Sequence, residues 1–297
     1  MSEQQFGFHS TAEEVSAGVD LRGKTWLVTG VNSGIGKESA RVLALRGARV
    51  IGAARTAAKA EETFRELGIE GTPLACELSD LASVRAAVNQ VHERGDALDG
   101  ILANAGIMAL PNLAQVHGIE LQFFTNHIGH FVLTTGLLER LGAGGRVVVV
   151  SSGAHRYAGP LGLELENISG SEDYHPWRMY GRSKLANILF ARSLASRFAT
   201  DGSKRTAFSL HPGVIATNLT RHIEDAAALM APMKATMKSI EQGAATSVYV
   251  ATHAGLEGLS GQYFSDCAVA KTLAQGTDDA LAEELWRTTE RLVAELT

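Results

Sequence analysis

Tyr180-Gly181-Arg182-Ser183-Lys184 sets a phenol and an ammonium four residues apart, so both lie on one face of a helix. A free tyrosine titrates near pH 10, which leaves roughly 0.1% phenolate at neutral pH. A nearby ammonium favours the phenolate, and a drop of three pH units corresponds to about 4 kcal/mol of differential interaction. Such a pair can move a proton to or from a substrate oxygen. Alone, this spacing is common and carries little weight.

A second group lies near the start of the chain. Thr25-Trp26-Leu27-Val28 reads as a strand that runs straight into Thr29-Gly30-Val31-Asn32-Ser33-Gly34-Ile35-Gly36, followed by a helical pattern. Glycines in that position allow a tight turn and a close approach of backbone to a pyrophosphate at the helix N-terminus. Asn32 and Ser33 add short polar side chains beside it. The second strand ends at Ala53-Ala54-Arg55, with Ala54 where selection of NAD asks for a carboxylate. Arg55 can instead pair with a ribose 2′-phosphate, and Lys37 can add to that field. The expected cofactor is therefore NADP(H).

These groups need a scaffold. Apolar strand-like runs at 25–28, 48–51, 71–76, 98–103, 145–150, 206–210 and 261–264 alternate with helical patterns, among them 37–46, 79–94, 118–141 and 180–198. The run at 145–150 is a continuous β-branched stretch of the kind buried on both faces of a sheet. The alternation predicts an α/β fold: one Rossmann-type doubly wound parallel sheet of about seven strands with helices on both faces. Residues 1–22 read as a polar arm, with Ser10 to Glu13 as a capping box opening a short helix. Residues 23–297 read as a single domain, with a substrate lid near 218–242.

The full set of motifs resembles the short-chain dehydrogenase/reductase family. They occur in the family's order: the glycine loop, Asn104-Ala105-Gly106, Asn126, Ser151-Ser152, Tyr180-x-x-x-Lys184 and His211-Pro212-Gly213. Asn32 to Gly36, Asn126 to Phe131, Ser151 to His155 and the 28 positions from Ser152 to Tyr180 resemble its retinol-dehydrogenase-like and WW-domain-oxidoreductase-like subgroup. The resemblance implies an NADP(H)-dependent interconversion of carbonyl and alcohol on a lipophilic or aromatic small molecule. Tyr180 would be the acid/base, with Lys184 lowering its pKa and holding the nicotinamide ribose. Ser152 would steady the substrate oxygen, and Asn126 would hold a water leading from Lys184 to solvent. Of the serine pair, the second is chosen because the first closes the strand. Glu77 stands where the subgroup usually has an aspartate for the adenine, with Leu78 beside it. Asn104, Ala105 and Gly106 would line the adenosine and ribose side. Pro212, Gly213, Ile215 and Thr217 would meet the nicotinamide. The family often forms dimers or tetramers through the helices that bear Asn126 and Tyr180, so a homodimer or homotetramer is expected.

Several features have two readings. His155, close behind Ser152, either faces substrate or packs. Trp177, Met230 and Met233 are assigned to an apolar substrate pocket, although a methionine stripe is more often core. His127 and His130 lack the further ligands a zinc site needs, so no metal is expected. The net charge of −5 argues against a nucleic-acid partner. Two cysteines, an acidic N-terminal arm and no apolar run long enough to span a bilayer favour a cytoplasmic protein without a membrane span. The alternative function is an NADP-binding regulator or scaffold with little turnover.

Overall fold

Strands covered on both faces need no polar side, and the central strands here are apolar throughout. Leu27, Val28, Ile101, Leu102, Val147 and Val148 have no exposed surface. The computed structural model of the chain describes residues 6–216, 219, 223 and 231–296. Its strands in chain order are β1 (Thr25–Thr29), β2 (Arg49–Ala54), β3 (Gly71–Ala75), β4 (Leu98–Ala103), β5 (Gln115–Val116), β6 (Ile119–Glu120), β7 (Leu141–Val150), β8 (Thr206–His211), β9 (Val214–Ile215), β10 (Met237–Lys238), β11 (Tyr263–Ser265) and β12 (Ala268–Val269). Eight of them form one sheet in the order β12-β11-β8-β7-β4-β1-β2-β3. All its pairings are parallel except β11 with β12. β12 is one strand more than the sequence signals. It folds back through Asp266 and Cys267, at φ 52° and 61°, and its two residues are exposed, so no apolar run marks it.

The helices begin with α1 (Ala12–Val15), α2 (Gly34–Leu45), α3 (Ala57–Leu67), α4 (Leu81–Glu93), α5 (Leu121–Phe123), α6 (Gly129–Gly136) and α7 (Pro176–Thr200). Helices Ile240–Thr252 and Asp279–Glu295 follow. Alternate residues of each strand feed two core layers. Leu27, Ile101 and Val147 pack with Val84 of α4, Phe131 of α6, Phe190 of α7 and Trp286. Val28, Leu102 and Val148 pack with Leu43 of α2, Phe64 of α3 and Val250. After β3 the chain crosses back to place β4 on the other side of β1. That reversal opens a crevice at the carboxyl ends of β1 and β4, where such sheets bind ligands.

Two local expectations differ from the structure. The helical reading of 118–141 is broken: β5 and β6 form a hairpin through His117 and Gly118, at φ 51° and 76°. Glu120 then caps α5 by accepting from Phe123 N at 2.8 Å, a π-helical turn spans Phe124–Ile128, and β7 already starts at Leu141. The capping box sits one residue later than expected, on Thr11 and Glu14. The arm beyond it is seated on the domain. Ala12 and Val15 are buried against Val42, Ala244, Ala245 and Val248. Full burial of one valine contributes about 1.5–3 kcal/mol. Arg41 pairs with Glu13, and Arg46 donates to the Glu13 carbonyl at 2.7 Å.

Candidate active site

β1 ends at Thr29, and the chain turns through the glycine loop into α2. Gly30 and Gly34 have φ of 72° and 55°, a conformation side chains rarely adopt. Gly36 is required for a different reason: a Cβ there would stand 2.3 Å from the Gly30 carbonyl oxygen and 2.4 Å from Asn104 Nδ2. Ser33 caps α2 by position but makes no side-chain capping bond. The first amides of the helix are therefore left to an anionic group at its positive end.

Thr29 ties this loop to the end of β4. Its hydroxyl oxygen accepts from Asn104 N at 2.9 Å and Ala105 N at 3.0 Å, and Asn104 Nδ2 donates to the Thr29 carbonyl at 2.8 Å. With both lone pairs taken, the Thr29 hydroxyl donates to His130 Nε2 at 2.9 Å. His130 Nδ1 then carries the ring proton and donates to the Asn126 carbonyl at 3.0 Å. Burial holds this imidazole neutral, with its pKa pushed down to about 4.

A cavity of about 770 Å³ runs along the crevice. One end is lined by Gly30, Asn32, Ser33, Gly34, Ile35 and Gly36, with Arg55, Glu77 and Leu78. Asn104, Ala105 and Gly106 lie at its middle, and Ser152, Trp177, Tyr180, Lys184, Pro212, Gly213 and Ile215 at the other end. The cradle fits a dinucleotide: three glycines leave room for phosphates, and neither Ala54 nor exposed Arg55 opposes a 2′-phosphate. Lys37 is not part of this wall, because its ammonium pairs with Glu66 at 2.5 Å. Glu77 uses Oε1 to accept from Ser79 N and Oγ at 3.1 and 2.8 Å.

At the far end α7 presents Tyr180 and Lys184 one turn apart, with Lys184 Nζ 5.6 Å from the phenol ring centre. The expectation that the ammonium draws the phenol down is outweighed. Burial pushes Tyr180 up to about 12, against a hydrogen bond with Ser152 that lowers it. The ammonium is itself buried, is pushed down to about 8, and donates to the Val150 carbonyl at 3.1 Å. Ser151 and Ser152 both line the cavity. Ser151 N donates to Leu210 O at 2.8 Å and its hydroxyl to Lys184 O at 2.7 Å, whereas Ser152 hydrogen-bonds Tyr180. Gly181 lets α7 touch the segment after Ser152, since a Cβ there would lie 2.6 Å from Ala158 N.

This constellation agrees with comparisons to known proteins. Residues 24–163 match the family model described as short chain dehydrogenase. The chain is 40% identical to "Short-chain dehydrogenase TIC 32 B, chloroplastic" of Brassica napus, over 98% of this chain and 95% of that protein. It is 38% identical to "Retinol dehydrogenase 14" of Homo sapiens, over 92% of this chain and 87% of that one. A short chain dehydrogenase from Burkholderia cenocepacia J2315, solved in complex with NADP, superimposes with a TM-score of 0.64 at 25% identity, over 82% of this chain and 96% of that one. The chain belongs to the short-chain dehydrogenase/reductase family. Its relatives place it in the retinol-dehydrogenase-like subgroup of these oxidoreductases.

Within this dehydrogenase/reductase fold, several expected residues sit elsewhere. His155 does not face substrate: it is fully buried, donates from Nδ1 to the Ser152 carbonyl at 2.7 Å and stacks edge-on to Tyr263. Asn126 does not line the cavity and is also fully buried. Its Oδ1 accepts from Ile107 N at 2.9 Å, and its Nδ2 donates to Ile107 O at 2.9 Å and Ser183 Oγ at 3.0 Å. These bonds fix the Gly106–Ile107 segment against α7. His127 Nε2 donates to Thr289 Oγ1, whose own proton goes to Leu285 O. Thr217, Met230 and the Met233 side chain lie outside the described residues, as do residues 218, 220–222 and 224–229 of the expected lid.

The helices on which an oligomer surface was expected are in part buried within the chain. Gln122 to Phe131 and Met179 to Ala191 are buried throughout. The 3-10 segment Gly153–Ala158 and helix Asp279–Glu295 pack on α7. Buried Arg182 pairs with Glu164 of the long insertion, which anchors that insertion to the same helix. Among the described residues no helix is long and apolar enough to cross a membrane. Sequence reasoning missed Met108, Thr125, Tyr157, His175 and His211 as cavity residues. Only His211 carried a signal, as the first residue of His-Pro-Gly.

Proposed function

We propose that this chain is an NADP(H)-dependent oxidoreductase that interconverts an aldehyde or ketone with the alcohol of a lipophilic or aromatic small molecule. The observation that carries the reading is the single cavity joining the glycine loop, Arg55, and the Ser152, Tyr180 and Lys184 side chains. Its outer wall is aromatic: Trp177 lies edge-on to Tyr157 at 5.8 Å and to Tyr180 at 6.2 Å.

The glycine loop and the start of α2 would hold the pyrophosphate, Arg55 the 2′-phosphate, Glu77 and Leu78 the adenine side, and Pro212 to Ile215 the nicotinamide end. The bound cofactor supplies or accepts the hydride. Ser152 holds the substrate oxygen by hydrogen bonding. A phenol with its pKa near 12 is protonated at neutral pH, so Tyr180 acts as the acid that donates to the oxygen during reduction. An alkoxide is the stronger base, so that transfer is downhill. Lys184 places a positive charge beside the phenolate left behind, which stabilises it in a site that excludes water. Asn126, His130 and Thr29 hold the loop, β4 and α7 in register. A cytoplasmic location is part of the proposal, supported by two buried free thiols, Cys76 and Cys267.

The test is NADPH and NADH consumption over a panel of aromatic and aliphatic carbonyls, for the native chain and Tyr180→Phe. Turnover with NADPH above NADH, lost by about 10²–10⁴-fold in the variant with NADPH binding retained, is the expected result. Binding of NADPH without turnover on any carbonyl favours the regulator or scaffold. Equal or better use of NADH overturns the cofactor assignment.

A further inference from the structure

Ser152 leaves β7 in extended conformation, φ −162° and ψ 154°, as the first residue of the turn into Gly153–Ala158. Its carbonyl and the Gly153 amide belong to one peptide unit, and that unit is gripped at both ends. The Ser152 carbonyl accepts from His155 Nδ1 at 2.7 Å and from the His155 backbone N–H at 3.1 Å. The Gly153 N–H donates to His211 Nδ1 at 2.9 Å.

The partners fix both ring protons. His155 Nε2 accepts from Leu273 N–H at 3.3 Å, so its proton is on Nδ1. His211 accepts at Nδ1, so its proton is on Nε2. The imidazoles stand as opposite tautomers on one peptide plane. The fit is close, since a Cβ on Gly153 would come within 3.3 Å of His211 Nε2. Burial is the main influence on both rings and holds them below the usual histidine range, His211 to about 4. Around His211, Asp266 works in the other direction, while Lys238, His155 and Arg156 add to the lowering. Both rings are therefore neutral near pH 7, as the two hydrogen bonds require.

We propose that His155 and His211 are positioning residues that fix the Ser152 hydroxyl by clamping the Ser152–Gly153 peptide unit between imidazoles of opposite tautomer. This rests on the carbonyl/alcohol reading, in which Ser152 holds the substrate oxygen beside Tyr180. Misplacement of a reacting contact by about 1 Å costs on the order of 10²-fold in rate.

Four variants of the full chain test it: His155→Leu, His155→Asn, His211→Leu and His211→Asn. Asparagine can offer a donor or an acceptor where Nδ1 stands, and leucine offers neither. The leucine variants are expected to lower kcat for NADPH-dependent carbonyl reduction by about 10- to 100-fold, with the NADPH Kd within about twofold of native. The asparagine variants are expected to recover to within about fivefold. Equal loss in leucine and asparagine variants, or no loss in either, overturns the clamp. Nitrogen-15 imidazole spectra at pH 7 give a reading independent of turnover. One Nδ1–H tautomer should vanish in His155→Asn, and one Nε2–H tautomer in His211→Asn. The same tautomer at both positions overturns the proposal even in an active enzyme. A native chain that reduces no carbonyl but shows the opposite tautomers overturns the functional reading and keeps the clamp.

Discussion

Gly181→Ala separates positioning from chemistry, because it adds one methyl group and touches neither the phenol nor the ammonium. The new Cβ would lie 2.6 Å from Ala158 N, 2.8 Å from the Ala154 carbonyl oxygen and 2.9 Å from Tyr157 C. All three atoms are backbone, and the closest falls about 0.8 Å short of the 3.4 Å at which ordinary contact begins. No side chain can swing away, so the segment after Ser152 must move off α7 by most of that amount. Overpacking of this kind costs about 1–3 kcal/mol of stability. A displacement near 1 Å between Ser152 and Tyr180 lowers turnover by about 10²-fold, equivalent to roughly 2.7 kcal/mol of transition-state stabilisation. The assay combines kcat for carbonyl reduction, NADPH Kd by fluorescence and thermal unfolding followed by circular dichroism. The expected result is a loss near 10²-fold in kcat, a Tm lowered by several degrees, and an NADPH Kd almost unchanged. Turnover within threefold of native would refute the reasoning, because it would mean that the spacing between the serine segment and α7 is not set at Gly181.

Arg55→Ala should raise the KM for NADPH by about 10- to 100-fold, the value of one charge-assisted hydrogen bond, and leave the KM for NADH unchanged. Lys184→Met should abolish turnover and yet raise stability in urea unfolding at pH 7. Burial takes the ammonium from 10.5 to about 8, a native-state penalty of about 3 kcal/mol at neutral pH, offset in part by its bond to Val150. The sign follows from proton uptake. Between pH 8 and 10.5 the unfolded chain binds more protons than the native one, so this group's contribution to stability rises with pH across that window. An activity profile that requires the ammonium should fall above about pH 8.

The sheet, the glycine loop and the Tyr180–Lys184 pair were legible because each demands particular residue types within a few positions of one another. Gly36 and Gly30 face each other across a turn of seven residues, and the phenol and ammonium share one helical turn. The dispersed features were not legible. The clamp on Ser152 joins His155 to His211 across 56 positions, and neither tautomer can be known without Leu273 N–H and Gly153 N–H as partners. His155 looked like a pocket residue because it follows Ser152 closely, but the 3-10 turn rotates it into the core. The hairpin at residues 115–120 hid inside a helical periodicity, although Gly118 marks its turn, which holds both His117 and Gly118 at positive φ. The rise of Tyr180 rather than its fall is a property of burial, which spacing does not encode.

The seating of the arm bears on how the chain is made. Ala12 and Val15 find their partners partly in Val42 but chiefly in Ala244, Ala245 and Val248, more than 220 positions downstream. During synthesis the arm waits while β1 to β8 are translated. Its docking partner emerges only when helix Ile240–Thr252 clears the exit tunnel. Ala12 and Val15 thus reach their native place later than the strands that follow them in the sequence.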